Sequence, residues 1–315
     1  MSATSCPLSI PTLDVSAESV TRALRAARAP AAAVAAQRPD IRVVLQAARQ
    51  AARELAVPPH PDWLRHACVV RFAASAWPVQ DFHRCVLSCI GAHWLGAGQP
   101  YGLLEEGPGV FQVVDGRAQA AAALPDPAAP AEFRSDCVGL RPAFRPEVVS
   151  LTCCLNHAHA LVGVVDVQGL VAELPQGLRD IAMQERFRNA RPAWPGCCAG
   201  MSGQAVALLR DNPPHGVMAM LDLASTCPAR PGDAAALQVL REIARLARAR
   251  ANWLAPQPGE ILFLRNQHVL HAERSGRGER RFLRAYWRQS LLALGNFAGT
   301  EVPAMYSCAR TLRGG

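Results

Sequence analysis

Apolar and polar positions along this chain follow two periods, which divide it into a helical first part and a strand-rich remainder. Over residues 16–56, rich in alanine and arginine, Val43, Val44, Ala47, Ala48 and Ala51 recur at helical spacing. Pro58-Pro59 stops the pattern, so helices ending before the prolines are expected, followed by a loop from His60, Pro61 and Asp62. Residues 67–73, ACVVRFA, read as a short buried strand. Helical spacing returns over residues 79–95, where Phe82, Cys85, Val86, Cys89 and Ile90 share one face, and His83 and His93 read as ordinary core or surface residues.

Further on, residues 118–131 form a low-complexity Ala/Pro linker, and the β-rich runs 148–155 and 160–167 flank Asn-His-Ala-His, the pattern of two buried strands joined by a turn. A short helix is expected within 174–187, beginning near Pro175, and a strand over 205–209 in the otherwise loop-rich stretch 194–214. Asp233 is placed to cap a helix in which Leu237, Leu240, Ile243 and Ala247 form the buried stripe and Arg241, Arg245 and Arg248 the wet face. After the Pro258-Gly259 turn, Ile261, Phe263, Val269 and Leu270 read as strand residues, which places His271 at a strand end facing a cavity. Residues 275–278 then form a turn, and a return strand through Phe282, Leu283, Ala285 and Tyr286 aims Arg280 and Arg284 towards one face of the sheet.

Composition narrows the class. Half of the 315 residues are apolar, yet polar groups interrupt every long window, as Asn156, His157, His159 and Asp166 do within 151–174, so no membrane span is expected. The N-terminus has neither the basic start nor the apolar core of a signal peptide, and a cytoplasmic protein is the expectation. Eleven cysteines include the neighbours Cys153-Cys154 and Cys197-Cys198, which rarely bridge each other, so buried free thiols are expected. All 33 basic residues are arginine, and the net charge of +8 is dispersed rather than gathered into a stripe, which argues against nucleic acid as partner. The length suits a single domain with its helical part at about 16–95.

Several segments carry candidate chemistry. The glycines of GAGQPYGLLEEGPG lack the lysine and the strand-turn-helix context of a phosphate loop. His157 and His159, two apart, would share one face of a strand, but no paired cysteine or carboxylate completes a metal site there, and a polar turn is the plainer reading. Cys197-Cys198 has no CxxC partner. The segment Glu132-Phe133-Arg134-Ser135-Asp136 stands out, together with His271 and the arginines beyond it. A plain core role remains open for each: His271 bonded to a backbone carbonyl, and Arg280 or Arg284 paired with Glu273 or Glu279.

In order, GQPYGLLEEGPGVFQVV, AEFRSDCVGLRP, LPQGLRDIAMQERFR, PQPGEILFLRNQHVLHAER and ERRFLRAYW resemble segments of the clavaminate synthase-like branch of the TauD-type iron(II)/2-oxoglutarate oxygenases, over residues 95–287. The resemblance implies a mainly β core within an α/β chain, built as a double-stranded β-helix (jelly roll) flanked by helices. It also implies two imidazoles and one carboxylate around iron(II), with open positions for 2-oxoglutarate and oxygen. Carried onto this sequence, the carboxylate is Asp136, the distal imidazole His271, and the cosubstrate clamp Arg280 and Arg284, with Arg281 a register alternative. The position of the first histidine holds Arg134, and an apolar residue near Leu161 or Val162 stands where the family's cosubstrate threonine is expected. A guanidinium has no lone pair for a metal.

Three accounts of Arg134 stay open. Iron is held by Asp136 and His271 with water in the third place; or His268, His157 or His159 turns in; or Arg134 and Asp136 pair where the metal would lie. The expected function is an oxygenase with an altered metal shell, hydroxylating, desaturating or cyclising an amino acid or amino-acid-derived intermediate of secondary metabolism. The alternative is a degenerate or metal-independent jelly roll in which Arg134, Asp136 and the arginine pocket bind an anionic ligand. Oligomeric state is not legible.

Overall fold

The strand-forming runs assemble mainly into one large sheet. The computed structural model describes residues 9–36, 39–55, 64–103, 109–115, 132–140, 144–189, 204–213, 216–274, 278–298 and 304–306. In chain order the elements are β1 (Thr12–Val15), α1 (Ala17–Ala26), α2 (Ala31–Ala35), α3 (Ile41–Glu54), β2 (Ala67–Phe72), α4 (Asp81–Trp94), β3 (Gln99–Leu103), β4 (Gln112–Asp115), β5 (Val148–Asn156), β6 (Leu161–Asp166), α5 (Val167–Glu173) and α6 (Gln176–Ala182). They continue with β7 (Phe187–Asn189), β8 (Leu209–Asn212), β9 (Gly216–Ala219), β10 (Thr226–Pro228), α7 (Ala234–Arg250), β11 (Asn252–Leu254), β12 (Glu260–Arg265), β13 (Val269–Arg274), β14 (Arg280–Arg288), α8 (Leu292–Ala298) and β15 (Met305–Tyr306).

The eight-stranded sheet runs β1-β2-β12-β5-β14-β3-β15, with β4 also paired to β14, and a three-stranded sheet runs β11-β6-β13. Strand pleating gives the large sheet two different faces. Cys68, Val70 and Phe72 of β2, Ile261 and Phe263 of β12, and Leu283, Ala285 and Trp287 of β14 turn to one side, where they pack with buried residues of α1, α3 and α4. The intervening Val69, Leu151, Leu262 and Leu264 face Val162, Val164 and Val269 of the small sheet. A third cluster joins the other side of the small sheet to α5 and α7. The two sheets therefore face each other, with helices packed on both outer sides.

Three helix N-termini are capped by aspartates: Asp40, Asp166 and Asp233 each accept a backbone N–H of the first turn. In α7 the buried residues are Ala236, Val239, Ile243, Leu246 and Ala247, while Leu237 is 38% exposed. Of the expected stripe, Ile243 and Ala247 are buried and Leu240 packs part-buried against the same cluster, while Leu237 lies outside it and Ala236, Val239 and Leu246 complete the buried face. A strand expected over 205–209 is instead the single bridge Phe187–Val206, with β8 beginning at Leu209. Residues 60–62, the linker 118–131, Cys197-Cys198 and residues 275–277 lie outside the described residues. Among the described residues no helix is long and apolar enough to cross a membrane; Cys68, Cys85, Cys89, Cys153 and Cys154 are free thiols, and they and Cys137 are buried.

Candidate active site

Phe133 anchors the first site segment: fully buried, it packs into the cluster of α5, α7 and the small sheet and lies against Trp253 at 5.9 Å between ring centroids. Because side chains alternate along an extended segment, Arg134 and Asp136 turn to the opposite side from Phe133. Arg134 N donates to His271 O, and His271 N to Arg134 O, both at 2.9 Å, so the segment adds to the edge of β13 and places Arg134 directly opposite His271. On its other side Arg134 bridges to Asp222, reinforced by Ser135 N donating to Leu221 O at 2.8 Å and Leu223 N to Phe133 O at 3.1 Å. Cys137, at φ +58°, turns the chain away.

Asn266 fixes the depth of the segment. Its Oδ1 accepts Asp136 N at 2.6 Å, and its Nδ2 donates to Asp136 O at 2.9 Å and Pro146 O at 3.1 Å. Asn266 sits in the turn between β12 and β13, which puts Ile261 and Phe263 on one strand and Val269 and Leu270 on the next. The imidazole is accordingly not at a strand end: His271 is the third residue of β13 and is 2% exposed.

Asp136 is the hub. His271 Nε2 lies 3.3 Å and Arg134 Nε 3.4 Å from its Oδ1, and Arg284 Nη1 lies 3.8 Å from its Oδ2. Burial by itself raises the pKa of this carboxyl, but His271, Arg284 and Arg134 outweigh it and hold the group well below the usual carboxylate range. Burial likewise lowers the pKa of Arg134, and Asp136 and Glu273 more than restore it, so Arg134 is a permanent cation. Glu273 continues the network, 3.9 Å from Arg134 and 3.2 Å from Arg280. Among the described residues, Asp136 Oδ2 and His271 Nδ1 are buried without a hydrogen-bond partner.

Strand β14 delivers both expected arginines to the inner face, despite a bulge between Arg281 and Phe282. Arg280 reaches Glu273, and Arg284 donates from Nε and Nη2 to Gln112 Oε1 at 3.2 and 2.6 Å while its guanidinium lies over Tyr286. Arg281 belongs to the other face, where it pairs with Asp81 of α4. Val162, opposite Glu273 in the β6–β13 register, is 3% exposed, and the cavity it lines with Glu273, Arg280 and Phe282 measures about 10 Å³, room for about one water.

The other histidines stay apart. His157 and His159 are exposed in the β5–β6 turn, and His268 is buried in the β12–β13 turn. Among the described residues no cluster of three His, Cys, Asp or Glu side chains could hold a metal ion. Sequence reasoning missed Asn266 and Gln112 and gave Glu273 only a structural part. Glu273 had a signal, two residues from His271 and hence on the same strand face. Asn266 and Gln112 had none, since each acts across more than a hundred residues.

Two facing sheets enclose this carboxylate and imidazole, and solved structures of non-haem iron oxygenases share the fold. A solved asparagine oxygenase in complex with Fe(II), 2S,3S-3-hydroxyasparagine and succinate matches with a TM-score of 0.71 at 18% identity, over 94% of this chain and 99% of that one. The non-haem iron oxygenase OrfP in complex with Fe and alpha-ketoglutaric acid matches with a TM-score of 0.70 at 15% identity, over 95% of this chain and 100% of that one. OrfP in complex with Fe, succinate and (3S)-hydroxy-L-Arg matches with a TM-score of 0.69 at 15% identity, over 94% and 99%. No family model and no curated protein matches the chain. The resemblance read from the sequence segments is borne out in the fold.

Proposed function

We propose that the protein is a single-domain, non-haem iron(II)/2-oxoglutarate-dependent oxygenase with an altered metal shell, acting on an amino acid or an amino-acid-derived molecule. The observation that carries it is the pair Asp136 Oδ1 and His271 Nε2, 3.3 Å apart. Two donors about 2.0–2.2 Å from one ion and at right angles to each other lie about 3 Å apart, so this pair suits two neighbouring positions on a metal. The unsatisfied Asp136 Oδ2 at the same place is the kind of buried atom that a bound group completes. The chain also alternates between the sheets, large for β5, β12 and β14 and small for β6 and β13, the path of a double-stranded β-helix. Neighbours of this fold bind Fe with alpha-ketoglutaric acid and hydroxylated amino acids, which supports the same cofactor, cosubstrate and substrate class here.

The fit is complete for two ligand positions and fails for the third. Asp136 and His271 would hold the iron, and Arg134 supplies no donor. Bound iron and 2-oxoglutarate would supply oxygen activation for hydroxylation, desaturation or cyclisation. The chain's own part is electrostatic. Asp136 is kept ionised, Asn266 fixes its backbone, and Arg284, with Arg280 beside it, takes the distal carboxylate of 2-oxoglutarate in exchange for Gln112. Because the space beside Arg280 is water-sized, that exchange requires the Gln112 or Glu273 side chains to move.

One observation favours a second reading, a metal-independent protein that binds an anion: Arg134 already stands 3.4 Å from Asp136. Metal analysis and an anaerobic difference spectrum separate the two. The oxygenase reading expects bound iron and a visible charge-transfer band on addition of 2-oxoglutarate; protein without metal and a flat spectrum would sink it. Arg134→His should tighten iron binding by about tenfold or more, since it restores an imidazole and removes a cation.

A further inference from the structure

A second charged site lies outside the Asp136–His271 centre, at the end of the large sheet where β5 begins. Arg265 of β12 pairs in register with Val148 on one side, and Trp287, which precedes Arg288, pairs with Val148 on the other. Arg265 and Arg288 line a cleft of about 620 Å³ together with Glu147, Gln267, Leu95 and Met218. This is within the size range of small-molecule sites.

The charges in the cleft do not balance. Glu147 Oε1 takes Arg288 Nη2 at 3.1 Å, and its Oε2 accepts Gln289 N at 2.9 Å. Arg288 is otherwise satisfied by backbone oxygens, with Nε donating to Ser290 O at 3.3 Å and Nη1 to Arg145 O. Arg265, only part-exposed, has no side-chain hydrogen bond or ion pair among the described residues. Burial lowers its pKa, and Glu147, already paired with Arg288, only partly offsets this. A part-buried guanidinium with five N–H donors and no side-chain acceptor among the described residues offers an anchoring point for an anion. Beside it the cleft supplies an apolar wall, Leu95 and Met218 among it.

We propose that this cleft binds a small organic anion, a carboxylate or phosphate head group paired with Arg265 and an apolar tail lying on Leu95 and Met218. The site does not depend on the oxygenase reading. It adjoins the centre through one turn, because Arg265 is followed by Asn266, whose side chain holds the backbone of Asp136.

Isothermal titration of the full chain with hexanoate, hexyl phosphate and hexanol tests the proposal. At least one anion binds with one-to-one stoichiometry, and hexanol does not. Arg265→Gln weakens binding by about tenfold or more, Arg265→Lys retains it within about threefold, and Arg284→Gln leaves it unchanged. Binding of hexanoate alone assigns a carboxylate, and of hexyl phosphate alone a phosphate. Because Arg265 makes no side-chain hydrogen bond or ion pair among the described residues, Arg265→Gln melts close to the unaltered protein, which keeps the comparison between folded proteins. Absence of binding by both anions, equal binding by Arg265→Gln, equal binding of hexanol, or loss of binding in Arg284→Gln with Arg265→Gln unaffected overturns it.

Discussion

At the scale of the residue, Asp136 concentrates the electrostatics of the molecule. Three groups that carry or can carry positive charge converge on one carboxylate that is 2% exposed, and a buried ion pair tolerates the loss of one partner badly. Asp136→Asn is therefore expected to cost about 3–5 kcal/mol, measured by urea unfolding, since it leaves Arg134 and Arg284 without their common counter-ion. The pH dependence follows from the direction of the shift. A carboxyl held below its unfolded value of about 3.9 stabilises the fold fully above that value and loses the contribution as pH falls towards its folded pKa. The stability gap between the unaltered protein and Asp136→Asn should thus be constant near neutrality and shrink in acid below about pH 4. A gap that stays constant down to pH 2.5 contradicts the assignment. The residues of the proposed site, Arg134, Asp136, His271, Arg280 and Arg284, were legible because each sits in a local motif. The partners that set their state, Gln112 and Asn266, were not, because a hydrogen bond across 172 or 130 residues leaves no local pattern.

At the scale of the element, β14 shows how much a period of two decides. Arg280, Phe282 and Arg284 face the small sheet, while Arg281, Leu283, Ala285 and Trp287 face the helices, so adjacent arginines serve unrelated ends: Arg280 on Glu273 and Arg281 on Asp81. Helix α7 shows the limit of the same kind of reasoning. Its amphipathic character was readable, but the exact face was not, because alanines and leucines surround the helix on most sides and packing against α5 and α6 selects among them. Thermal melts of two variants distinguish the faces. Ile243→Ala should lose about 2–5 kcal/mol, and Leu237→Ala should stay within about 0.5 kcal/mol. Equal losses would restore Leu237 to the buried stripe.

At the scale of the whole molecule, the thiols report on packing. Burial pushes Cys68 and Cys153 up to about 12 and Cys154 up to about 11, so in the folded protein neither access nor ionisation favours their reaction. Cys227 is only part-buried. Among the described cysteines, alkylation at neutral pH followed by peptide mass mapping should modify Cys227 first, and Cys68, Cys153 and Cys154 only on the timescale of global unfolding. Modification of Cys154 as fast as Cys227 would show that the helical layer over β5 opens locally.

What the sequence by itself determined is the set of elements with a strong period and the residues of the proposed site: the helical part before residue 95, the strands around 148–167 and 261–287, and Arg134, Asp136, His271 and the β14 arginines. Periodicity is local, and so are these motifs. Only the tertiary structure decided that β12 and β13 are two strands in different sheets, that the segment at Arg134 joins the edge of β13, and that Glu273 links Arg134 to Arg280. The physical reason is common to all three. Each depends on which backbone groups and charges, distant along the chain, are brought within about 4 Å by sheet pairing, and Coulomb and hydrogen-bond energies depend on that distance rather than on position in the sequence.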